Sequence, residues 1–306
     1  MKKRIIIAGA NGFLGQALIE HLHSNYELIG LVRKEQPNAF CVSYCRWDGR
    51  TLGPWKDKFD GAYAVINLAG RSVDCRYNEK NKAQILSSRI ESTRVLAEAI
   101  QSCKNPPQVW LNSASATIYE HSLDQPNGES SESIGSGFSV DVCLAWEKEF
   151  YRTELILRKV ALRTTLVIGK KGGVYPVFRK LAMFGLGGTQ GPGNQMVSWI
   201  HIEDFCRAVE FCLKEEVEGP VNMAAPDPMA NKDFMKNLRQ SLGVKIGLPT
   251  PKFLLEFGAI LIRTETELIL KSRYVVPEKL TRAGFKFYYP NIPSCFENLS
   301  RREPSS

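Results

Sequence analysis

The chain has 306 residues, of which 43% are hydrophobic and 24% are charged, and its formal net charge is +8. These values are ordinary for a soluble globular protein. The best apolar run, residues 253–262, carries Glu256 and is too short to span a bilayer, so we expect no membrane segment. The first strand follows directly after "MKKR", so we also expect no signal peptide and a cytoplasmic protein.

Charge and cysteine usage argue against two further classes of function. Lysine and arginine are dispersed among acidic residues, so the net charge favours a basic surface that helps to draw in an anionic ligand over nucleic-acid binding. The eight cysteines form no Cys-x-x-Cys pair or Cys/His cluster, and the chain has four histidines, so we expect no metal site. The thiols are expected to be reduced and mostly buried.

The first element is a short β-branched strand over residues 5–7, typical of a strand buried on both faces of a parallel sheet. A glycine-rich turn follows, and apolar residues then recur at helical spacing. A turn from strand to helix offers free N–H groups and the positive end of the helix dipole to a phosphate. We therefore predict a nucleotide site, the alternative being a merely tight turn. The predicted contacts are Gly9, Gly12, Phe13, Leu14 and Gly15.

A second strand is predicted over 26–32, ending at Val32 and followed by Arg33 and Lys34. An acidic residue at this point would bind the adenosine ribose 2′-hydroxyl and favour NAD. A guanidinium suits a 2′-phosphate instead, because it forms forked hydrogen bonds. The sequence therefore favours NADP(H), with Val32 and Arg33 as contacts; the alternative is that both cations are simply solvated.

Two further strands end in candidate site residues. The strand predicted over 62–70 ends in Leu68, Ala69 and Gly70, which offer small side chains and main chain to the cofactor. The strand over 108–115 is followed by hydroxyl groups that could face the nicotinamide and the substrate. We predict catalytic roles for Ser115 and Tyr119, although serines also cap turns for purely local reasons.

Strand and helix patterns alternate through the first two thirds of the chain, which predicts a doubly wound parallel α/β sheet, or Rossmann fold. Helices are predicted over 79–102, 141–152 and 203–214, and strands over 155–169 and 219–225. The pattern becomes glycine-rich after residue 169. We therefore predict an NADP-binding domain of residues 1–170 plus 197–222, and a smaller substrate-binding lobe of residues 171–196 plus 223–306.

Together, "GANGFLG", "AVINLAG" and "SASATIY" resemble the extended short-chain dehydrogenase/reductase superfamily. More specific stretches, including "FGLGGTQGPGNQMVSWIHIEDF" and "VVPEKLTRAGFKFYYP", resemble its atypical branch of epimerase family proteins of the YfcH type, described as nucleoside-diphosphate-sugar epimerases. The resemblance covers the chain from Arg4 to about Leu299 and implies binding of NADP(H). It also implies cofactor contacts at Gln84, Arg89 and Val167, and a homodimer by analogy.

One departure concerns the chemistry. Ordinary members of the superfamily use a Tyr-x-x-x-Lys pair, whose tyrosine exchanges a proton with the substrate. Here Cys143 and Glu147 have that spacing, and Glu147 cannot supply a positive charge. Either residue could be catalytic; the alternative is a role in helix packing or in contact with the cofactor ribose. His201 could act in acid–base chemistry, or could fix the lobe to the sheet through hydrogen bonds.

The leading hypothesis is an NADP(H)-dependent oxidoreductase or epimerase-like protein that acts on an unidentified small molecule, with sugar nucleotides among the candidates. The alternative is an NADP(H)-binding sensor that engages another protein with little or no turnover. The missing Tyr–Lys pair favours the sensor, whereas the glycine-rich segment and the complete second lobe favour an enzyme.

Overall fold

The computed structural model describes residues 2–34, 40, 42–250 and 271–301. Its strands are β1 (Arg4–Ala8), β2 (Glu27–Val32), β3 (Ser43–Arg46), β4 (Ala64–Asn67), β5 (Val109–Ser115), β6 (Arg158–Thr164), β7 (Leu166–Gly169), β8 (Gly172–Gly173), β9 (Met196–Val197), β10 (Trp199–His201), β11 (Gly219–Met223) and β12 (Met229–Ala230). Its helices are α1 (Phe13–Leu22), α2 (Glu79–Gln101), α3 (Phe138–Arg152), α4 (Tyr175–Met183), α5 (Ile202–Lys214), α6 (Asn231–Ser241), α7 (Glu278–Arg282) and α8 (Ile292–Ser300). Short 3-10 turns lie at Pro54–Lys58 and Ala116–Ile118.

Seven strands form one parallel sheet in the order β11-β6-β5-β4-β1-β2-β3. Its central strands are continuous apolar runs, because both faces of the sheet are covered. From β1 the chain builds outward through β2 and β3, and then crosses back to β4 on the other side of β1. This reversal opens a crevice at the carboxyl ends of β1 and β4, where ligands bind in sheets of this topology.

Helices cover both faces of the sheet. On one face, α1 and α5 pack through a cluster that includes Leu18, Phe205 and Val209. On the other face, α2 and α3 bury Leu96 and Phe150 against the strands. Burial of these side chains is the main favourable term for the fold. The doubly wound α/β architecture predicted from the sequence is confirmed.

A smaller lobe lies beyond β6. Strand β7 pairs in parallel with β10 and antiparallel with β8, and β9 pairs with β12. Its own core includes Ile168, Trp199, Phe234 and Phe296, contributed partly by α6 and α8. The exact division into residues 1–170 plus 197–222 and the remainder stays a prediction.

The segment 155–169, predicted as one strand with a hooked, hairpin-like entry as the alternative, forms two strands that belong to different sheets. Strand β6 ends at Thr164, and Thr165 turns away, with its N–H and hydroxyl both donating to the Met223 carbonyl at 3.2 and 2.7 Å. Strand β7 then joins the smaller lobe. Strand β3 was not anticipated. The apolar run 253–262 lies outside the described residues; in the part that is described, no helix is both long and apolar enough to cross a membrane.

Candidate active site

The turn after β1 can be built only with glycine. Gly9 has φ +77°, and a Cβ there would lie 2.8 Å from the carbonyl carbon of Leu68, the residue that follows β4. A Cβ on Gly15 would meet the Gly9 carbonyl oxygen. The Gly12 N–H donates to that same oxygen at 3.0 Å. The glycines therefore bring α1 close to β1 and leave backbone, not side chains, facing the crevice.

The N-terminus of α1 is left open. Its N-cap is Gly12, which has no side chain to cap the helix, and the first turn holds no acidic residue. The N–H groups of Phe13, Leu14 and Gly15 have no intrahelical partner and find no acceptor among the described residues. These free N–H donors and the positive end of the helix dipole together form a site for an anion such as a pyrophosphate. This cradle fits a dinucleotide cofactor.

A cleft of about 580 Å³ lies at this point, between the ends of β1, β4 and β5 and the helices α2 and α3. Ten of the residues predicted as site residues line it: Gly9, Gly12, Phe13, Leu14, Gly15, Leu68, Ala69, Gly70, Arg89 and Ser115. Its walls hold no histidine, aspartate or glutamate within the described chain. The two charged groups are the guanidiniums of Arg71 and Arg89, so the cleft is positive.

Val32 and Arg33 lie outside the wall of this cleft but beside the glycine turn. Leu31 of β2 pairs with Ala8 of β1, which brings the end of β2 next to Gly9. The Asn11 side chain ties the two together by donating to the Lys34 carbonyl at 2.7 Å. Val32 is buried, whereas Arg33 is exposed and forms no ion pair with a described residue.

Gln84 and Val167 do not line the cleft. Gln84 on α2 accepts a hydrogen bond from the guanidinium of Arg71, which is itself a cleft residue. Val167 lies on β7 with 9% of its surface exposed and packs into the core beneath α5. Gln84 therefore contacts the cleft only indirectly, by holding the guanidinium of Arg71.

Tyr119 lies behind the cleft wall and not in it. Its side chain is fully buried, and its hydroxyl donates to Asn222 Oδ1 at 2.9 Å while accepting from Arg163 Nη1 at 2.9 Å. Burial raises the pKa of this phenol, although Arg163 acts in the opposite direction. The phenol is thus engaged in a buried network that joins β6 to β11.

The same Arg163 binds Glu147. Its Nε and Nη2 donate to the two carboxylate oxygens of Glu147 at 2.8 Å each, and both side chains are nearly buried. This forked pair directs Glu147 away from the cleft. Cys143, one helical turn earlier, does line the cleft, as does Ser115. Desolvation raises the pKa of the Cys143 thiol to about 12, so it stays protonated at neutral pH.

Ser115 ends β5 and caps the 3-10 turn that follows. Its Oγ accepts from the Thr117 N–H at 3.2 Å and donates to Thr117 Oγ1 at 3.0 Å. The local capping role anticipated for a serine here is real, and it coexists with the position in the cleft. Capping fixes the rotamer of Ser115 at the wall of the cleft that Cys143 also lines.

His201 is buried away from the cleft. Its Nδ1 accepts from the Glu203 N–H at 3.1 Å, which caps α5, and its ring lies 3.9 Å from that of Tyr289. Desolvation lowers the pKa of its imidazole to about 4, so it is neutral at physiological pH. Of the two roles considered for His201, the structure supports fixing the smaller lobe to the sheet.

Sequence reasoning missed one wall of the cleft. It is apolar and aromatic, formed by Val73, Tyr77, Phe138 and Val142, with Tyr77 and Phe138 in edge-to-face contact at 5.1 Å. One usable signal was present: segment 71–78 directly follows the strand at the point where the sheet reverses, where ligand contacts concentrate.

A glycine turn at the reversal of a parallel sheet, beside a positive cleft, defines a dinucleotide-binding α/β protein of the short-chain dehydrogenase/reductase type. Within that class, the chain belongs to the NAD dependent epimerase/dehydratase family, whose profile matches residues 5–224. A second profile, a domain of unknown function (DUF1731), matches residues 250–299.

Relatives match along almost the whole chain. The chain is 32% identical over 302 residues to the epimerase family protein YfhF of Bacillus subtilis, covering 96% of this chain and 97% of that protein. The crystal structure of human epimerase family protein SDR39U1 (isoform 2) with NADPH aligns with a TM-score of 0.87 at 27% identity, covering 97% of this chain and 99% of that one. The resemblance to epimerase family proteins is thus confirmed, and the YfcH branch stays a prediction.

More distant structures share the fold. The nucleoside-diphosphate sugar epimerase from Corynebacterium glutamicum aligns with a TM-score of 0.77 at 26% identity, covering 98% of this chain and 58% of that one. The UDP-N-acetylglucosamine 4-epimerase from Bacillus cereus aligns with the same TM-score at 18% identity, covering 98% of both chains.

Proposed function

We propose that the protein binds NADP(H) in the cleft and acts in the cytoplasm as an oxidoreductase or epimerase-like enzyme on a small molecule. The proposal includes a homodimer, in analogy with its superfamily. The observation that carries the proposal is the open N-terminus of α1 above Gly9, with the exposed Arg33 beside it. The human relative solved with NADPH supports the choice of cofactor.

In this proposal the N–H groups of Phe13, Leu14 and Gly15 hold the pyrophosphate, and Arg33 binds the 2′-phosphate. Leu68, Ala69 and Gly70 line the adenosine and ribose side. When bound, the nicotinamide supplies or accepts a hydride. The substrate would lie between the cleft and the smaller lobe, with Ser115 hydrogen-bonding its reacting oxygen. The sugar-epimerase relative keeps sugar nucleotides among the candidates.

Titration of the pure protein with NADPH and NADH tests the choice of cofactor. We expect NADPH to bind at least about tenfold more tightly, because Arg33 gains a phosphate partner only with NADPH. R33Q should weaken NADPH binding about tenfold and change NADH binding less than about twofold. R94Q, which removes an exposed cation of α2 paired with Glu98, is the matched control and should change neither. Failure to bind either dinucleotide, or a preference for NADH, would contradict the proposal.

A second candidate function is an NADP(H) sensor without turnover. The observation that favours it is the absence of histidine and carboxylate groups from the described walls of the cleft. The two functions are distinguished by whether bound NADPH loses its absorbance when the protein meets a panel of aldehydes, ketones and sugar nucleotides.

A further inference from the structure

Three polar side chains from three elements meet in the wall of the cleft. Ser115 ends β5, Cys143 lies on the inner face of α3, and Arg89 lies on α2. All three side chains line the same cleft, and both the Arg89 guanidinium and the Ser115 side chain favour the ionised form of the Cys143 thiol, that is, they lower its pKa against the effect of burial. We call these three residues the Cys143 cluster.

The charge of Arg89 has no counterion within the described chain. Its Nη1 donates to the carbonyls of Arg71 and Ile85 at 3.0 Å each, and its guanidinium lies 5.0 Å from the ring centroid of Trp146. None of these groups carries a negative charge. Burial lowers the pKa of the guanidinium, which a nearby carboxylate would oppose. The carbonyls therefore fix the orientation of Arg89 and leave its charge available in the cleft.

Arg163 differs from Arg89 because it has a carboxylate partner. It also lies beside α3, but it is neutralised by the forked pair with Glu147 and by the network through Tyr119. Of these two cations beside α3, Arg89 is the one that lines the cleft and has no carboxylate partner among the described residues. An anion that forms next to Cys143 would be stabilised by Arg89.

We infer that Cys143 is the proton donor to the reacting oxygen, with Ser115 positioning the thiol and Arg89 stabilising the thiolate that the transfer leaves. This inference rests on the proposed function, because it needs a reduced nicotinamide dinucleotide as hydride donor. The carbonyl carbon of the substrate gains the hydride, and the C=O electron pair moves to the oxygen. That oxygen takes the proton of the Cys143 S–H bond, whose electrons stay on sulfur. The carbonyl is reduced, the dinucleotide is oxidised, and the thiolate regains a proton from water.

The chemistry of the thiol suits this role. A proton donor must carry its proton at the working pH, and desolvation keeps Cys143 protonated. The alkoxide that hydride addition produces is a much stronger base than a thiolate, so the proton moves downhill. Tyr119 and Glu147 cannot compete, because Arg163 holds both away from the cleft.

Steady-state kinetics of NADPH oxidation test the inference, with p-nitrobenzaldehyde and phenanthrenequinone as carbonyl probes. C143A should lower kcat by about a hundredfold or more, because the donor is lost. C143S supplies a hydroxyl in its place and should stay within about tenfold of wild type. R89Q should lower kcat by about tenfold, and R89K should restore most of it. KM for the probe should change little in all four variants, since the effect lies in the transition state.

NADPH titration of the same variants separates this inference from the proposed function. C143A and C143S should bind NADPH within about threefold of wild type, which also shows that they fold. C103A and R94Q are the matched controls, because Cys103 and Arg94 lie outside the cleft, and both should keep wild-type kcat. Wild-type protein that binds NADPH but oxidises it with neither probe, or C143A with wild-type kcat, overturns the inference and leaves NADPH binding intact. Failure of wild-type protein to bind NADPH overturns the proposed function itself.

Discussion

His201 gives the fold a pH dependence that originates in one side chain. In the unfolded chain the imidazole has a pKa of 6.5, and burial lowers it to about 4 in the folded protein. Between these values the unfolded state binds a proton that the folded state does not. The free energy of unfolding therefore falls as the pH drops from 6.5 toward 4.

We expect His201 alone to remove about 2 kcal/mol of stability between about pH 7.5 and about pH 5. H201N should lack this component, because asparagine can still accept the Glu203 N–H at the N-cap but does not titrate. Urea denaturation at the two pH values measures the difference. An H201N protein that loses as much stability as wild type would contradict this assignment.

Arg163 shows why the burial of Tyr119 and Glu147 outside the cleft could not be predicted from the sequence. It lies 16 residues from Glu147 and 44 residues from Tyr119, and it engages both. No local pattern reports such a partner, so Tyr119 seemed a candidate from its place after a strand. The glycine turn was predictable, because its conformation depends on three glycines within seven residues and on the neighbouring strand and helix.

At the scale of elements, Asp204 joins α5 to the C-terminal segment. Its side chain is fully buried, and its two oxygens accept the backbone N–H groups of Tyr288 and Tyr289 at 2.9 and 2.8 Å. Arg207 donates to Asp204 at 2.7 Å and stacks on the Tyr288 ring at 3.4 Å. The carboxylate also lies in the first turn of α5, where the helix dipole favours it. One residue thus fixes the smaller lobe against the sheet.

D204N should lower the free energy of unfolding by about 3 kcal/mol, because the amide turns an N–H group toward a buried N–H donor. Chemical denaturation measures the loss, and hydrogen exchange should show reduced protection of the Tyr288 and Tyr289 amides. E203Q changes the neighbouring exposed residue, whose carboxylate accepts the Tyr289 hydroxyl, and should cost less than about 1 kcal/mol. Unchanged protection of these two amides in D204N would show that Asp204 does not accept their hydrogen bonds.

Elements with a clear local sequence pattern lie close to their predicted bounds. Elements whose bounds depend on contacts with distant residues do not. The helix predicted over 79–102 is Glu79–Gln101, and the strand over 108–115 is Val109–Ser115. The run 155–169 has strand-forming residues on both sides of Thr165, so its pattern does not show that Thr165 bonds to Met223 and that β7 joins the smaller lobe. That break depends on a contact with a strand more than fifty residues away.

At the scale of the whole molecule, charge is arranged to attract an anionic ligand. The chain carries a net charge of +8, and the described walls of the cleft contain two guanidiniums and no carboxylate. Arg33 adds an exposed cation beside the glycine turn. A positive field around a positive cleft raises the local concentration of a dinucleotide and its rate of association.

This field predicts how salt affects the proposed cofactor binding. Raising the ionic strength from about 0.05 M to about 0.5 M shortens the Debye length from about 14 Å to about 4 Å, so exposed cations act over a shorter range. NADPH carries an additional phosphate at the exposed Arg33, so its dissociation constant should rise about tenfold, against about threefold for NADH. Isothermal titration calorimetry at several salt concentrations gives both slopes. In R33Q the dependence of the NADPH dissociation constant on salt concentration should fall to that of NADH, because the cation that binds the extra phosphate is gone. Equal slopes for the two dinucleotides in wild-type protein would mean that the extra phosphate meets no exposed cation, and would remove Arg33 from the site.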